Sequence, residues 1–396
     1  MRLAEAQSIA DLRRMARWRL PKLLFELIES GVEDERALDY NRDAFGRYRL
    51  MPRYLGDIAL RDQSVTLLGR TYASPFGIAP TGFAGLMRKN LDTDLAAAAK
   101  AASIPFVLSG ASIAPVETVA AMAGGGLWAH LYPAKDTAIT ERIVDRYAAA
   151  GVEVLVLTVD NPVFPKRERD NRNGFSLPLR LPLPIMLEAL LHPAWLAEYL
   201  TGGGMPMLES WRAYAPDGST AGEVAGFFRS QSPSIQTWES LAALRRRWPR
   251  QLVLKGLQHP EDARRAVESG VDAIWVSNHG GKSFDYLPSP LDTLPALRAA
   301  LGARVPIIAD SGIRRGAEIL MLKALGADFT FVGRATLYGV VAGGRAGADK
   351  AIAILRNELD MSLAMIGCPR FSAIGREILL SREEESPCPL PSTART

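Results

Sequence analysis

Short apolar runs recur along the chain, and each of them leads into a polar residue or a glycine. Ala-rich stretches with helical spacing, such as residues 95–102 and 116–122, separate the early runs. Alternation of buried strands with amphipathic helices is typical of parallel βα units. The runs are FGIAP (76–80), FVLSG (106–110), LWAHLY (127–132), VLVLTVD (154–160), LVLKG (252–256), AIWVSNHG (273–280), PIIADSG (306–312) and FTFVGRA (329–335).

Eight βα units are the number that closes a (β/α)8 TIM barrel, so we predict this fold, in which the carboxyl ends of all strands meet at one mouth. A doubly wound open sheet is the alternative, but it more usually carries a GxGxxG turn after its first strand, and no such turn follows residues 76–80. Ahead of the first run, helical spacing predicts a prelude with helices over 10–19 and 22–29 and with Gly31 as a C-cap.

The gap between the fourth and fifth runs, about residues 161–235, is too long for an ordinary βα loop, so we expect an insertion over the barrel mouth. Its apolar, proline-punctuated middle, residues 176–208, has two interpretations. It is either a lid or subunit contact, or a monotopic segment that dips into a membrane interface with the help of Arg180 and the basic pI. We predict one domain over 1–380 and a disordered polar tail over 381–396.

Composition narrows the function classes. The net charge of +4 is small, and the Arg245 to Arg247 cluster has no accompanying aromatic-basic motif, so we predict no nucleic-acid partner. Cys368 and Cys388 form no metal-ligand spacing, which predicts a reducing compartment and no metal. The charged N-terminus and the lack of an apolar run of the ~18 residues that a spanning helix needs predict a cytoplasmic protein, or one peripheral on the inner face of the cell membrane.

The strand ends carry the candidate chemistry. His279 follows a buried strand and precedes two glycines, which makes it a candidate acid or base. The glycine-arginine loops DSGIRRG (310–316) and GR (333–334) follow the last two strands, where such barrels commonly bind phosphate. Lys255 lies inside a strand pattern and is costly to bury unless it faces an anion or an electron-rich cofactor ring.

These motifs resemble the FMN-dependent (S)-2-hydroxy acid oxidases and dehydrogenases, a family that includes glycolate oxidase and L-lactate dehydrogenase. SNHGGKSFD (277–285), ADSGIRRG, VGRA, LTVD, LVLKG and IAPTG occur in the family's order, and the resemblance runs from about Ala16 to about Cys368. RERD (167–170) and the HPAW to GGGMP stretch resemble the membrane-associated mandelate dehydrogenase branch.

The resemblance implies FMN as the cofactor, a small-molecule 2-hydroxy acid as the substrate, quinone or oxygen as the electron acceptor, and a homo-oligomer, namely the family's tetramer. It implies that His279 is the base, that Asp160 pairs with the imidazolium and raises its pKa, that Tyr132 binds the substrate oxygen and that Arg167 approaches the substrate carboxylate. The implied FMN contacts are Pro80, Thr81, Gly82, Ser109, Thr158, Lys255, Ser277, Asp310, Ser311, Gly312, Ile313, Arg314, Gly333 and Arg334.

Three positions depart from the family pattern. Leu27 replaces a tyrosine, and Lys282 replaces an arginine that grips the substrate carboxylate, which would cost on the order of 1 to 3 kcal/mol of binding. His130 replaces a flavin-contacting glutamine and could serve as a neutral donor. The departures lead to the hypothesis of a bulky or aromatic (mandelate-like) 2-hydroxy acid, or of an alcohol whose acid group is modified.

Alternatives remain open at this point. One is oxidation of a different alcohol or of an amine on the same barrel, and another is a barrel that binds flavin without turnover. Gly82 favours a dehydrogenase that passes electrons to quinone, because alanine is commoner at this position among the family's oxidases. An oxygen-using oxidase is the alternative.

Overall fold

A computed structural model describes residues 1–176, 179 and 182–381. Its strands are β1 (Tyr48–Leu50), β2 (Val65–Leu67), β3 (Arg70–Tyr72), β4 (Phe76–Ile78), β5 (Val107–Leu108), β6 (Trp128–Leu131), β7 (Val154–Thr158), β8 (Gln251–Lys255), β9 (Ala273–Val276), β10 (Ile307–Ala309), β11 (Phe329–Val332) and β12 (Leu379–Ser381).

The helices form three groups along the chain. Those before the barrel are α1 (Ile9–Arg19), α2 (Lys22–Glu29) and α3 (Arg36–Gly46). The next are α4 (Leu91–Ala101), α5 (Val116–Ala123), α6 (Thr137–Ala149), α7 (Glu168–Arg172), α8 (Leu183–Ala189), α9 (Pro193–Thr201), α10 (Glu209–Arg212), α11 (Ala221–Gln231) and α12 (Trp238–Arg247). The last are α13 (Pro260–Glu268), α14 (Pro290–Leu301), α15 (Gly316–Ala324) and α16 (Arg334–Met365), the last being interrupted by non-helical backbone at Gly343 and Gly344.

Strands β4 to β11 form a closed parallel barrel. Each pairs with its neighbour in chain order from β5 to β11, and β11 pairs with β4 through Val332 and Ile78. A parallel bridge between Ile78 and Phe106 joins the first strand to the second and completes the ring. The predicted (β/α)8 barrel is therefore confirmed, and the open-sheet alternative is wrong.

Alternation along the strands decides which side chains enter the barrel. In β7, Val154 and Val156 belong to the interior cluster, whereas Leu155 and Leu157 pack under the outer helices. The interior is filled by aromatic rings, with Trp275 stacked on Phe331 at 4.2 Å between ring centroids. At the carboxyl ends the same inward positions become polar, and these are Ser109, His130, Thr158, Lys255, Ser277 and Asp310.

The other end of the barrel is closed by the β2–β3 hairpin. Leu67 and Tyr72 of this hairpin pack on the interior cluster, and the Tyr72 hydroxyl accepts a hydrogen bond from Trp128 Nε1 at 3.2 Å. A ligand therefore has its route into the barrel at the carboxyl ends of the strands.

The two predicted helices of the N-terminal prelude are present as α1 and α2, but the end of α2 differs from the prediction. Its C-cap is Ser30, in extended backbone, so the prediction of Gly31 as the cap is wrong. Gly31 is needed for a different reason, since a Cβ there would lie 2.8 Å from the carbonyl oxygen of Gly281. Ser381, where the predicted tail begins, ends strand β12 and pairs with Tyr48 of β1. Residues 382–396 lie outside the described residues.

The insertion between β7 and β8 folds into short helices, α7 to α11, that pack against the barrel mouth. Trp211 Nε1 donates to the Gly110 carbonyl at 2.8 Å, and Trp195 Nε1 donates to the Leu86 carbonyl at 2.9 Å. Of the segment 176–208, residues 177, 178, 180 and 181, which include Arg180, lie outside the described part. Within the described ranges, no helix combines the length and the apolar character needed to span a bilayer.

Candidate functional site

A cavity of about 390 Å³ opens at the carboxyl ends of the barrel strands. Side chains of the insertion complete its wall, among them Phe175 and Phe228. The predicted site residues that line it are Leu27, Pro80, Thr81, Gly82, Tyr132, Arg167, Lys255, His279, Lys282, Asp310, Ser311, Gly312, Ile313, Arg314, Gly333 and Arg334. The fold thus brings these residues into one continuous cavity.

The other predicted residues stand directly behind this lining. Asp160 bonds His279, and Ser277 bonds Lys255. Thr158 bonds His130 at 2.7 Å, and the backbone N–H of Ala111 donates to Ser109 Oγ at 3.1 Å. Strand alternation explains their places, because all but Asp160 occupy inward positions in the last layer of the barrel.

His279 is held by contacts on both sides of its ring. Its Nδ1 lies 3.0 Å from Asp160 Oδ1, and its Nε2 lies 3.3 Å from the Tyr132 hydroxyl. Its backbone has φ of 58°, in the left-handed region, and its N–H donates to Ser277 Oγ at 3.0 Å. A non-glycine residue in this conformation is costly and concentrates at functional sites. Asn161, which the sequence did not single out, also approaches Nδ1, at 3.3 Å.

The electrostatic setting favours a neutral imidazole. Burial, reinforced by the positive charge of Lys255, lowers the pKa of His279 below its ordinary value, and Asp160 only partly opposes this shift. Asp160 therefore raises the pKa of His279 as expected, but burial and Lys255 together outweigh its contribution. Burial works against ionisation of Asp160, but His279 and Lys255 outweigh it and lower the pKa of this carboxyl. These shifts favour an ionised Asp160 carboxylate beside a neutral His279 imidazole.

Tyr132 is set up to remain a phenol. Burial and the nearby Asp160 carboxylate raise its pKa well above the ordinary value. The hydroxyl therefore keeps its proton and can donate it to His279 Nε2 or to an oxygen atom in the cavity. This agrees with the role implied for Tyr132 by the family resemblance.

His130 uses both of its ring nitrogens within the protein. The Gly110 N–H donates to Nδ1 at 3.3 Å, so the ring proton sits on Nε2, which lies 2.7 Å from Thr158 Oγ1. Burial, with Lys255 and His279 nearby, lowers the pKa of His130 well below the ordinary value. His130 is thus neutral as expected, but it orients the Thr158 hydroxyl instead of presenting a free N–H to the cavity.

The far side of the cavity fits the isoalloxazine ring and phosphate of FMN. Lys255 is 3% exposed, and its Nζ donates to Ser277 Oγ at 3.2 Å and lies 3.9 Å from Asp310 Oδ2. These contacts leave its ammonium able to face an electron-rich ring edge. Helix α16 begins beside the cavity at Gly333 with no side-chain cap, so its first N–H groups are available to an anion. Arg314 adds a cation to this wall.

Two cations predicted to bind ligand also bond to the end of helix α2. Lys282 Nζ donates to the carbonyls of Leu27 at 3.0 Å and Ser30 at 2.7 Å. Arg334 donates to the carbonyls of Ile28 and Gly280, each at 2.8 Å, and also to that of Ser30 at 3.1 Å. Burial lowers the pKa of Arg334 to about 10. The C-terminal carbonyls of α2 are therefore satisfied by side chains from two barrel loops.

Two further charged residues of the cavity lining have polar atoms without partners in the described part of the chain. Arg167 and Asp170 both line the cavity, and Arg167 Nε and both Asp170 carboxylate oxygens have no hydrogen-bond partner among the described residues. Asp170 was missed as a site residue at the sequence level; it lies within α7, and Arg167 is the N-cap residue of that helix. Phe175 and Phe228 were also missed, because they lie in the insertion, where the strand-helix pattern of the barrel predicts no positions.

Comparison with known proteins gives a consistent result. A family model for FMN-dependent dehydrogenases matches residues 16–381. The (S)-mandelate dehydrogenase of Pseudomonas putida is 37% identical over 372 residues, which cover 94% of this chain and 93% of that relative. The L-lactate dehydrogenase of Xanthobacter autotrophicus is 36% identical over 381 residues, which cover 96% of this chain and 97% of that relative.

The solved structures agree with the sequence relatives. The crystal structure of the monotopic membrane protein (S)-mandelate dehydrogenase superposes with a TM-score of 0.91 at 36% identity, covering 95% of this chain and 100% of that one. The fold of this chain therefore matches that of a solved (S)-mandelate dehydrogenase over nearly its whole length. The chain belongs to the family of FMN-dependent dehydrogenases, and FMN is its cofactor.

Proposed function

We propose that this enzyme oxidises the alcohol carbon of an (S)-2-hydroxy acid or a close derivative, with His279 as the base. The observation that carries the proposal is the His279 imidazole, held between Asp160 and Tyr132 on the wall of the cavity that Lys255 and Arg167 also line. The relatives named mandelate and lactate dehydrogenase support this substrate class.

The protein residues divide the work of the reaction. Bound FMN supplies a two-electron acceptor. His279 Nε2 takes a proton from the substrate, and Asp160, at 3.0 Å from Nδ1, stabilises the imidazolium that results. Tyr132 donates its hydroxyl proton to the substrate oxygen, and Arg167 attracts the substrate's acid group. The aromatic wall excludes water from these contacts.

The substrate side chain is proposed to be bulky or aromatic. Leu27, Phe175 and Phe228 give the substrate end of the cavity an apolar wall that a methyl group could not fill. Phe83 and Phe228 pack edge to face at 5.6 Å between centroids, which fixes one side of that wall. A phenyl ring is the kind of group that such a surface buries.

Anaerobic flavin reduction tests the proposal directly. The FMN-loaded enzyme is mixed with lactate, glycolate, mandelate and larger 2-hydroxy acids, and bleaching of the flavin absorbance is followed by stopped flow. We expect mandelate to outpace lactate by about tenfold or more, since burial of an aromatic ring contributes several CH₂ equivalents of roughly 0.8 kcal/mol each. Equally fast reduction by lactate would disprove the aromatic preference.

The proposed electron acceptor is a quinone. Gly82 borders the cavity, and a Cβ there would lie 3.2 Å from Ala111 Cβ and 3.4 Å from Ser109 Oγ, so an added methyl would be tightly confined. Rates of reoxidation of the reduced enzyme by oxygen and by a soluble quinone analogue should be compared. We expect the quinone to be faster, and rapid reaction with oxygen would contradict this assignment.

We also infer that the insertion attaches the enzyme to a membrane surface. The apolar patch, as we call it, consists of exposed side chains on α8, on α9 and in the turn between them: Leu183, Met186, Leu187, Leu190, Leu191 and Leu200. Leu191 is 77% exposed, and neighbouring Trp18 is 83% exposed. An apolar surface edged by tryptophan is typical of segments that lie in the membrane interface. The monotopic membrane character of the mandelate dehydrogenase structure supports this proposal.

A further inference from the structure

A second cavity adjoins the active-site cavity, and the proposed oxidation of the substrate does not use it. Its volume is about 860 Å³. Its walls are formed by helices α6 and α12 and by the chain segments 133–135, 162–164 and 233–236. Two of these segments follow strands β6 and β7, so the second cavity lies at the same end of the barrel as the active site.

The wall between the two cavities is a thin layer of residues. Val163, Phe164 and Pro233 line both cavities. Tyr132 lines the active-site cavity, whereas Pro133, the next residue in the chain, lines the second one. A molecule in the second cavity is therefore separated from the active site by little more than one side chain.

This separation decides which reactant the second cavity suits. The substrate must come within hydrogen-bond reach of His279, because a general base takes a proton only over that distance. His279 lines the active-site cavity and is not part of the lining of the second cavity. Electrons, unlike protons, cross a thin layer of protein without direct contact between donor and acceptor. The second cavity therefore suits an electron acceptor and not the alcohol substrate.

The lining of the second cavity has the chemistry that a quinone ring requires. Phe164, Ile235 and Leu244 give it apolar surface, and Ile235 is 75% exposed in the unoccupied protein. The Arg229 guanidinium lies over the Phe164 ring, 5.2 Å from its centroid, and holds this ring in the shared wall. The Lys135 ammonium lines the cavity and has no hydrogen-bond or ion-pair partner among the described residues, so it can donate to a carbonyl oxygen.

We propose that the second cavity binds the quinone that reoxidises the reduced enzyme, with the quinone ring against Phe164 and one carbonyl oxygen at Lys135. This inference rests on the proposed quinone acceptor and assigns a site to it. Negative charge grows on the quinone oxygens during reduction, so the bond from the ammonium strengthens as the reaction proceeds.

The electron transfer balances with the oxidation of the alcohol. The quinone gains two electrons and two protons, and its two C=O groups become the O–H groups of a quinol. The electrons are the two that leave the alcohol carbon for the bound FMN. The protons come from solvent, which reaches this cavity beside the exposed Ile235. The alcohol loses as many electrons and protons as the quinone gains.

Ala243→Trp tests the site by filling it. Ala243 is an exposed residue of α12 that lines the second cavity but not the active-site cavity. An indole at this position should exclude the quinone ring and leave the substrate end of the active site intact. Ala149→Trp is the matched control, because Ala149 is exposed at the C-terminal end of α6 and lines neither cavity.

The two half-reactions are measured separately on the FMN-loaded enzyme. Stopped flow follows anaerobic flavin reduction by (S)-mandelate, and enzyme reduced with one equivalent of dithionite is mixed with a soluble ubiquinone that carries a single isoprene unit. We expect Ala243→Trp to lower the second-order rate constant for reoxidation at least about tenfold, because the filled cavity cannot bury the ring. Flavin reduction by mandelate should keep its wild-type rate, and the control should match the wild type in both half-reactions.

Binding is also measured without turnover. Equilibrium dialysis of the oxidised FMN-loaded enzyme against the same ubiquinone should show at least about a tenfold loss of affinity in Ala243→Trp. Lys135→Met, which removes the donor and leaves the cavity open, should lower the affinity roughly threefold to tenfold.

The outcomes separate this inference from the proposed function. Reoxidation and affinity at wild-type values in Ala243→Trp would show that the quinone reacts elsewhere, and equal losses in both half-reactions would show that the cavity only supports the active site. Either result overturns the inference. Because dithionite supplies the electrons, reoxidation is measured even if mandelate fails to bleach the flavin, in which case the proposed oxidation fails and the quinone site is judged on its own.

Discussion

At the scale of single residues, the site depends on the electrostatic setting of His279. Burial and Lys255 hold the pKa of the imidazole below its ordinary value of 6.5, so the free base persists through neutral pH. The second-order rate constant for flavin reduction should therefore be constant near neutral pH and fall only on acidification below that value, as the base becomes protonated. A stopped-flow pH profile measures this. An acid limb centred above pH 7 would show that Asp160 dominates instead.

Asp160→Asn changes both the rate and this profile. Removing the carboxylate deprives the imidazolium of its anionic partner, which should slow reduction roughly 10- to 1,000-fold, the equivalent of one to three pKa units of charge stabilisation. Because Asp160 is the group that raises the pKa of His279, the acid limb should move to lower pH. His279→Gln should cost on the order of 100- to 10,000-fold with no acid limb, as expected for loss of the general base. Retained flavin absorbance shows that each variant still binds FMN.

The sequence predicts where the residues of the site lie better than it predicts their hydrogen-bond partners. Strand alternation alone puts Thr158, Lys255 and Ser277 in the last inward layer, because side chains alternate with a period of two. Which partner each polar atom takes is a matter of tertiary contact. Lys282 lies in the loop after His279, as the sequence shows. Its ammonium contacts the carbonyl of Ser30 at the end of α2, 252 residues earlier in the chain, and no local sequence pattern predicts that contact.

At the scale of elements, helix α2 ends on the barrel loops without a glycine cap. Lys282 and Arg334 bind the carbonyls of Leu27, Ile28 and Ser30, which are otherwise unpaired at a helix C-terminus. Cations are favoured at this end of a helix by its dipole. The helical prelude is thereby attached to the loop that carries His279, the proposed base, and to the start of α16.

Lys282→Met tests this attachment. The substitution keeps the length of the side chain but leaves the Leu27 carbonyl without a donor among the described residues, which should destabilise the enzyme by about 1 to 3 kcal/mol. Urea unfolding of the FMN-loaded protein measures the change, and hydrogen exchange of α2 amides should quicken. Lys22→Met, at an exposed position of the same helix, is the control and should change stability little. An unaltered unfolding midpoint for Lys282→Met would contradict the capping role.

The elements themselves were predictable where their pattern is periodic. All eight barrel strands coincide with apolar runs, because a parallel strand buried on both faces is continuously apolar. The length of the insertion was enough to predict its presence. Its role could not be predicted, because the hydrophobicity of residues 176–208 fits a lid as well as a membrane contact. The side chains that face outward are known only once α8 and α9 are placed, and their exposure is a tertiary property.

At the scale of the whole molecule, the apolar patch of the insertion is held in place by contacts with other elements. Helices α8 and α9 are fastened to the prelude, where Glu188 accepts from the Lys22 N–H at 2.6 Å and Glu198 pairs with Arg19. The buried Trp195 anchors α9 to the barrel through the Leu86 carbonyl. These contacts hold α8 and α9, and with them the apolar patch, in a fixed position on the barrel and the prelude.

Charged substitutions in this patch should release the enzyme from lipid without affecting its chemistry. Each exposed leucine that enters the interface contributes roughly 1.5 to 3 kcal/mol, so Leu187→Glu, Leu190→Glu and Leu191→Glu together should weaken binding by at least about 100-fold. Flotation with vesicles of phosphatidylcholine and phosphatidylglycerol measures the bound fraction, and flavin reduction by mandelate reports the integrity of the site. Leu60→Glu, at a position that is 90% exposed outside the patch, is the matched control. If the triple variant and the control float equally with the vesicles, the patch is a contact surface for protein, and the membrane proposal is wrong.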